Sequence, residues 1–499
     1  MNTESTNMSA LRQSIFPIEN WEIKKFLPFA LIIGITVFNF TVLRNMKDAL
    51  ILTAPESGAE AVTYLKTLAV LPSVIFLSAM YVKLRKSCDF EKSYYIIVGS
   101  FLSFFTLFAL FLYPNAEAIH FSPEQVMAWK LAFPRIQFVF PVIGVWSYSL
   151  FYVAAELWGT FCLSILFWQF ANDNVGTNEA KRFYPLFLFV NAFATICVGN
   201  FLEYASSIEY DTVLFSTYMI IGMGVVMLSL FNHVNSRVLT DPMFVKDIAD
   251  KGKKKSKMKL GFVDSMKQLA SSPYIGYLSI LILAYGMSIN MIEVCWKSAA
   301  KSYYPTQDAY LAMMATYSKM TGYSGLVLVM ISKGVLRRFG WLPCALVTPI
   351  MISVTGAGYF ASVLFPGAFE PWMLLAGFTS PLAFTVMFGM LGVVLSKSSK
   401  YSFFDPTKEM AFIPLDYDLR ISGKAAADGV AGRLGKSGAS WIQMILYAVV
   451  AGGQTEIMPY LTVILFFLSI GWLVSATRLN VLYSNMVEKR RLEAESAVS

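Results

Sequence analysis

The chain has 499 residues, 56% of them hydrophobic and only 14% charged, against about 25% charged in a soluble domain, so a soluble globular protein is excluded. Its formal net charge is +8, carried by 40 Lys and Arg against 32 Asp and Glu. With two histidines and five scattered cysteines lacking any CxxC pair, a histidine metal centre, a histidine proton relay and a disulfide framework are all disfavoured.

The apolar runs approach 20 residues, long enough to cross a hydrocarbon core of about 30 Å as helices, whereas barrel strands need only about 10 alternating residues. An all-α membrane protein of about 12 transmembrane helices is therefore predicted. The spans fall near 26 to 50, 61 to 82, 94 to 113, 138 to 170, 183 to 202, 213 to 231, 274 to 296, 310 to 332, 341 to 364, 372 to 396, 437 to 453 and 457 to 478. The fourth is too long for one crossing. Its start, Gln137 to Gly144, is expected to lie along the interface before the chain turns inward at Trp146. Residues 1 to 25 are polar and run straight into the first span, so that span, not a cleaved signal, is expected to direct insertion. His120 and His233 read as loop residues.

Loop charge gives an orientation. Lys24 and Lys25, then Lys83, Arg85, Lys86 and Lys92, then Lys181 and Arg182, the run Lys251 to Lys259, then Lys333, Arg337 and Arg338, and finally Arg478 and Lys489 to Arg491 fall on one side. The loops after spans 5, 9 and 11 carry no Lys or Arg. By the positive-inside rule both termini are expected in the cytoplasm. The net positive charge then reports topology, with no nucleic-acid partner implied, and the Lys251 to Lys259 run reads as a solvated linker near anionic lipid headgroups.

An internal repeat divides the chain. At one offset Lys47 falls on Lys297 and Pro55 on Pro305, and at nearly the same offset Leu84-Arg85-Lys86 falls on Leu336-Arg337-Arg338. Thr177-Asn178-Glu179 and Thr407-Lys408-Glu409 match at a smaller offset, which the long loop from Pro114 to Gln137 explains. The expected organisation is a tail (1–25), a six-helix half (26–231), a basic linker (232–273), a second six-helix half (274–478) and a second tail (479–499). Two pseudo-symmetric parallel halves are the arrangement of major-facilitator-like transporters.

Charge inside the spans needs a reason, because an ionised side chain at a span centre costs about 2.5 to 3.5 kcal/mol even on the mildest scale. Arg44, Lys47 and Asp48 end span 1, Lys66 lies in span 2, Glu156 in span 4, and Glu293 and Lys297 in span 7. Spans 1, 4, 7 and 10 would line a central cavity in such a fold. Pairing of Glu156 with Lys47, or of Glu293 with Lys297 at i, i+4, would lock helices together without any ligand. Function is the stronger expectation for those four, while helix locking keeps a larger share, though still the lesser one, for Asp48 and Lys66.

The passage from Lys400 to Ser440 is dense in charge between apolar segments, with Lys400, Lys408, Lys424, Arg433 and Lys436 as candidate phosphate ligands. Gly435-Lys436-Ser437 imitates the end of a phosphate loop, but Val430 stands where the first glycine belongs and no strand precedes it, which speaks against an ATP-hydrolysing pump. Its glycines (Gly423, Gly429, Gly432, Gly435, Gly438) read as sites of close helix packing and tight turns.

The segments RNMKD (Arg44 to Asp48), AELWGT (Ala155 to Thr160), LFWQFAN (Leu166 to Asn172), EAKRFY (Glu179 to Tyr184), YGMSINMIEVCWKS (Tyr285 to Ser298), DPTKEMAFIPLD (Asp405 to Asp416) and GRLGKSGAS (Gly432 to Ser440) resemble the nucleotide translocases, the ATP/ADP antiporters of intracellular bacteria and plastids. The similarity runs from about Pro17 to about Leu482. It implies a twelve-helix, major-facilitator-like fold and strict counter-exchange of nucleotides, without covalent chemistry or a cofactor. The family's important charged positions fall on Lys47, Glu156, Glu293 and Lys408, the lysines holding phosphates and the glutamates gating or pairing with cations; Lys297, Arg44, Lys400 and Asn290 complete the candidate site. Val294-Cys295 and Ala299-Ala300 occupy variable places, so the base stays open: ATP and ADP are expected, with GTP, CTP, UTP or NAD as alternatives. An ion-coupled symporter of phosphorylated metabolites, using Glu156 or Glu293 as proton acceptor, is the other alternative. A membrane enzyme has no nucleophile with a base and no metal cluster to support it. The expected setting is a monomer among the lipids of a bacterial inner membrane, the absence of a transit peptide arguing against a plastid.

Overall fold

A computed structural model describes residues 16–241, 244, 272–416, 423–424, 427, 431–450 and 452–496. Twelve long helices carry the described fold: α1 (Ile23–Thr53), α2 (Ala59–Ser87), α3 (Phe90–Leu112), α4 (Trp146–Asn174), α5 (Thr177–Ala205), α6 (Thr212–Val238), α7 (Pro273–Tyr303), α8 (Gln307–Phe339), α9 (Trp341–Leu364), α10 (Pro381–Phe412), α11 (Gly432–Val450) and α12 (Gln454–Ser496). Ten of them are long and apolar enough to cross a membrane. The other two are α8, diluted by Lys319, Arg337 and Arg338, and the amphipathic α11, which buries Gly435, Ala439, Ser440, Gln443 and Tyr447 along one stripe. Most of the basic linker, including Lys251 to Lys259, lies outside the described residues.

Local chemistry sets the ends. Ser272, Thr306 and Ser380 cap α7, α8 and α10 by accepting from the backbone N–H three residues on. The expected fourth span breaks where the sequence indicated: a short helix (Val139–Gly144) ends at Val145, and α4 starts at Trp146. The tenth differs from expectation. Residues 372 to 375 belong to a separate short helix (Pro366–Leu375) that stops before Gly377, whose φ of 79° favours glycine, and α10 begins only at Pro381. It then runs on through Asp405 to Phe412, so part of the polar passage is helical. The expected eleventh span starts earlier, at Gly432, because GRLGKSG forms its first turns. Likewise His233 sits in α6 and not in a loop.

Side-chain contacts fix which ends share a side. At the end where the chain starts, Lys25 pairs with Glu179 at 2.7 Å and Arg182 donates to Glu22 at 2.8 Å, tying α1 to α5. Trp341 donates to the Thr407 carbonyl at 2.9 Å and stacks on Tyr483, gathering the matching ends of α9, α10 and α12. At the opposite, far end the two sets of six helices meet. Lys301 donates to the Ser57 carbonyl, the Gln454 N–H to Glu60 at 2.9 Å, Asn45 to Ser318 at 2.9 Å, and Lys319 pairs with Glu203 at 2.8 Å. Both described ends of the chain therefore lie on the same side.

Candidate functional site

Between the two sets of helices lies a cavity of about 660 Å³. One stretch of wall is apolar, with Val70, Leu71, Val74 and Ile75 from α2 and Leu163 from α4; the rest carries charge, from Lys66 of α2, Glu156 of α4 and from α1, α7, α10 and α11. Towards the side of the termini the lining continues as Ile75, Ser164, Tyr401, Arg433 and Lys436, while Lys47 and Lys297 close its far end. The cavity thus faces the side that holds the termini.

Three lysines and three carboxylates form one chain of ion pairs at the closed end. Glu156 accepts from Lys47 at 3.1 Å, Lys47 meets Asp48 Oδ1 at 2.8 Å, and the other oxygen of Asp48 meets Lys297 at 2.7 Å. Lys297 continues to Glu293 at 2.8 Å, and Glu293 Oε1 also takes Lys397 at 3.0 Å. The Asp48 side chain is fully buried and those of Lys47 and Lys297 are 3% and 4% exposed, so none of the three is hydrated alone. An unpaired charge there would cost several kcal/mol, and the pairing removes that penalty.

Other cations keep weaker partners. Lys66 donates to the Asn290 side-chain oxygen at 3.2 Å, and Asn290 is itself held by the Gly286 carbonyl at 2.8 Å. Arg44 lies over the rings of Phe40 and Tyr317 at 5.9 and 5.8 Å. Lys47 also faces the Tyr152 ring at 3.8 Å. Arg433 and Lys436 enter from the first turns of α11, which lies close to α7: a Cβ on Gly435 would stand 2.9 Å from the Leu283 carbonyl oxygen. Close packing is therefore what that glycine provides.

Wide π turns interrupt three of the lining helices, at Leu65–Val70 in α2, Gly159–Phe167 in α4 and Lys400–Phe404 in α10. Such turns add a residue without ending the helix, and they are frequent at functional sites. Here they carry Lys66, begin three residues after Glu156, and carry Lys400.

Of the residues singled out from sequence, Arg44, Lys47, Glu156, Asn290, Glu293 and Lys297 line the cavity together. Lys400 pairs with Asp405 at 2.7 Å and lies over Tyr401 and Tyr285, beside the lining without forming it. Lys408 is placed near the end of α10, 3.5 Å from Glu409, which also takes Lys424 at 2.5 Å. Lys397 was not anticipated, because the tenth span was expected to stop at residue 396; a lysine among serines in Ser396 to Lys400 was the available signal. Asp48 and Lys66, for which helix locking was the larger alternative, stand within the charged cluster. Cys295 is buried in the wall of α7, and all five cysteines are free.

Chemically, the cavity offers Arg44, Lys47, Lys66, Lys297, Lys397, Arg433 and Lys436 against Asp48, Glu156 and Glu293, an excess of four positive charges. It suits a polyanion small enough to enter a space of this size. Comparison with known proteins agrees. Residues 1–483 match the family model described as TLC ATP/ADP transporter. A curated relative, "ADP,ATP carrier protein 1" of Rickettsia bellii (strain RML369-C), is 40% identical over 494 residues, covering 97% of this chain and 98% of the relative. The protein of the same name from Chlamydia pneumoniae is 39% identical over 510 residues, covering 99% of each. Among solved structures, a D-xylose-proton symporter superposes with a TM-score of 0.55 at 12% identity, covering 92% of this chain and 97% of that one. The nucleoside transporter NupG gives 0.53 at 11%, covering 92% and 99%. At such identities these two speak for the fold alone, that of major-facilitator-type transporters. The chain belongs to the TLC ATP/ADP transporter family.

Proposed function

We propose that this multi-pass membrane protein exchanges ATP for ADP by alternating access, binding the phosphates at the cationic end of the cavity and performing no covalent chemistry. The observation that carries this is the excess of four positive charges gathered at one cavity, counting the buried Asp48 behind its lining. A terminal phosphate carries nearly two negative charges and each inner one about one, so a triphosphate balances that excess. A diphosphate falls one short, and either is better accommodated than a neutral solute. The names of the relatives, ADP,ATP carriers, point the same way.

Exchange follows from the ion pairs. Glu156, Asp48 and Glu293 satisfy Lys47, Lys297 and Lys397. A phosphate presents more charge to the same lysines, so occupancy changes which groups hold the halves. The halves 26–231 and 274–478 would rock about this point, joined by the linker 232–273. Loop charge supports a cytoplasmic side for the termini, and hence for the open side of the cavity; the membrane would be the inner membrane of a bacterium and the carrier a monomer.

Counter-exchange in vesicles tests this directly. With purified protein reconstituted and preloaded with ADP, labelled ATP should enter only when internal nucleotide is present. Uptake that ignores the internal nucleotide, or that follows an imposed proton gradient, overturns antiport.

A further inference from the structure

We propose that Asp48 is the latch of the far gate: one carboxylate that clamps both halves of the carrier and that a bound polyphosphate releases by claiming its two lysines. The proposal rests on the cavity taking a polyphosphate, as above, and adds a residue whose task is to couple occupancy to opening.

The geometry singles Asp48 out from the other two acids. Glu156 and Glu293 line the cavity, but Asp48 lies behind it, wholly buried. Each of its oxygens serves a different half: Oδ1 accepts from Lys47 of α1 at 2.8 Å and Oδ2 from Lys297 of α7 at 2.7 Å. Those lysines occupy matching places in the two halves, yet the position in the second half that matches Asp48 is Ser298. One acid therefore answers two pseudo-symmetric bases. The bond from Lys297 to Asp48 crosses from one half to the other, at the same end as the Asn45 to Ser318 hydrogen bond.

Both lysines also face the cavity, so a phosphate can reach them without entering the latch. A multivalent anion there competes with the carboxylate for the same N–H donors. As the lysines turn to the ligand, the bond that joins Asp48 to the second half weakens, and the far ends of the helices are free to part. Without ligand they stay clamped, because separating them would leave Asp48 and Lys297 buried and unpaired. Opening thus becomes conditional on cargo, with no input beyond the binding itself.

Asp48 is a positioning residue, so its test must read something other than activity. In reconstituted vesicles, Asp48→Asn should bind ATP at least as tightly as native protein, since two lysines lose a competitor. It should also let preloaded ATP leave into nucleotide-free buffer roughly 5- to 150-fold faster than native, while Asp48→Glu restores dependence on external nucleotide. A second measurement leaves Asp48 intact. In the Asn45→Cys, Ser318→Cys pair, disulfide formation reports closure of the far end, and millimolar ATP should slow it.

The latch is wrong if Asp48→Asn is folded but releases ATP only against external nucleotide, or if its ATP affinity falls. Should that variant fail to fold, an ATP-independent rate of disulfide formation overturns the latch by itself. Failure of native protein to bind or exchange ATP at all would instead overturn the proposed function.

Discussion

Removing the Lys47 charge separates binding from folding. In Lys47→Gln, Asp48 keeps Lys297 at 2.7 Å, and Glu156, whose side chain is 33% exposed, can hydrate. Destabilisation should therefore stay near 1 to 2 kcal/mol, below the roughly 3 to 5 kcal/mol of a buried pair broken with no relief. A hydrogen bond to a charged group contributes about 1.5 to 3 kcal/mol, so apparent affinity for ATP should fall roughly 10- to 150-fold. The assay is the concentration dependence of counter-exchange in reconstituted vesicles, read beside a thermal-unfolding curve of the same preparation. Unchanged affinity in normally folded protein refutes the phosphate role of Lys47. A loss of exchange that merely tracks loss of folded protein refutes the separation.

Lys408→Gln should lower the maximal exchange rate and leave ATP affinity near native, because Lys408 stands by Glu409 and outside the cavity lining; a large affinity loss would place phosphate near the end of α10. Glu156→Gln or Glu293→Gln should slow exchange or permit efflux without external nucleotide, measured by release from preloaded vesicles; activity that falls only with folded protein rules out gating. Gly435→Ala puts a Cβ 2.9 Å from the Leu283 carbonyl, so a loss of about 1 to 3 kcal/mol is expected from thermal unfolding, with no comparable effect from Gly438→Ala, which meets nothing within 4 Å. Glu179→Gln should cost about 3 to 5 kcal/mol by stranding the buried Lys25, whereas Glu493→Gln, facing the exposed Lys489, should cost under about 1 kcal/mol.

Much of the fold was legible because the bilayer is a demanding solvent. A run of apolar residues has to be a helix there, and the break at Trp146 and the match of Lys47 with Lys297 could be read from the chain. The pairs Glu156 with Lys47 and Glu293 with Lys297 were also readable, the first from the helices that line such a cavity and the second from i, i+4 spacing. What could not be read is convergence. Lys297 and Asp48 are 249 positions apart, and nothing in either neighbourhood says that they touch. The polar passage misled in a different way: helix α10 continues through Asp405 to Phe412, which takes Lys408 away from the cavity, while Gly432 to Gly438 winds into α11 and brings Arg433 and Lys436 to it. Proximity in sequence grouped five cations that the helices then sort into two places.

The touch of α7 and α11 at Gly286 and Gly435 decides more than a crossing point. One turn along α7 lies Asn290, then Glu293 and Lys297; next to Gly435 on α11 lies Lys436, with Arg433 two residues before it. With backbone pressed on backbone there is no slack for one helix to slide past the other. The two must swing together, as a single tray on which the charges keep their spacing. What such a carrier presents alternately to either side of the membrane is then a rigid stencil for its cargo, and selectivity is set by the stencil before any motion begins.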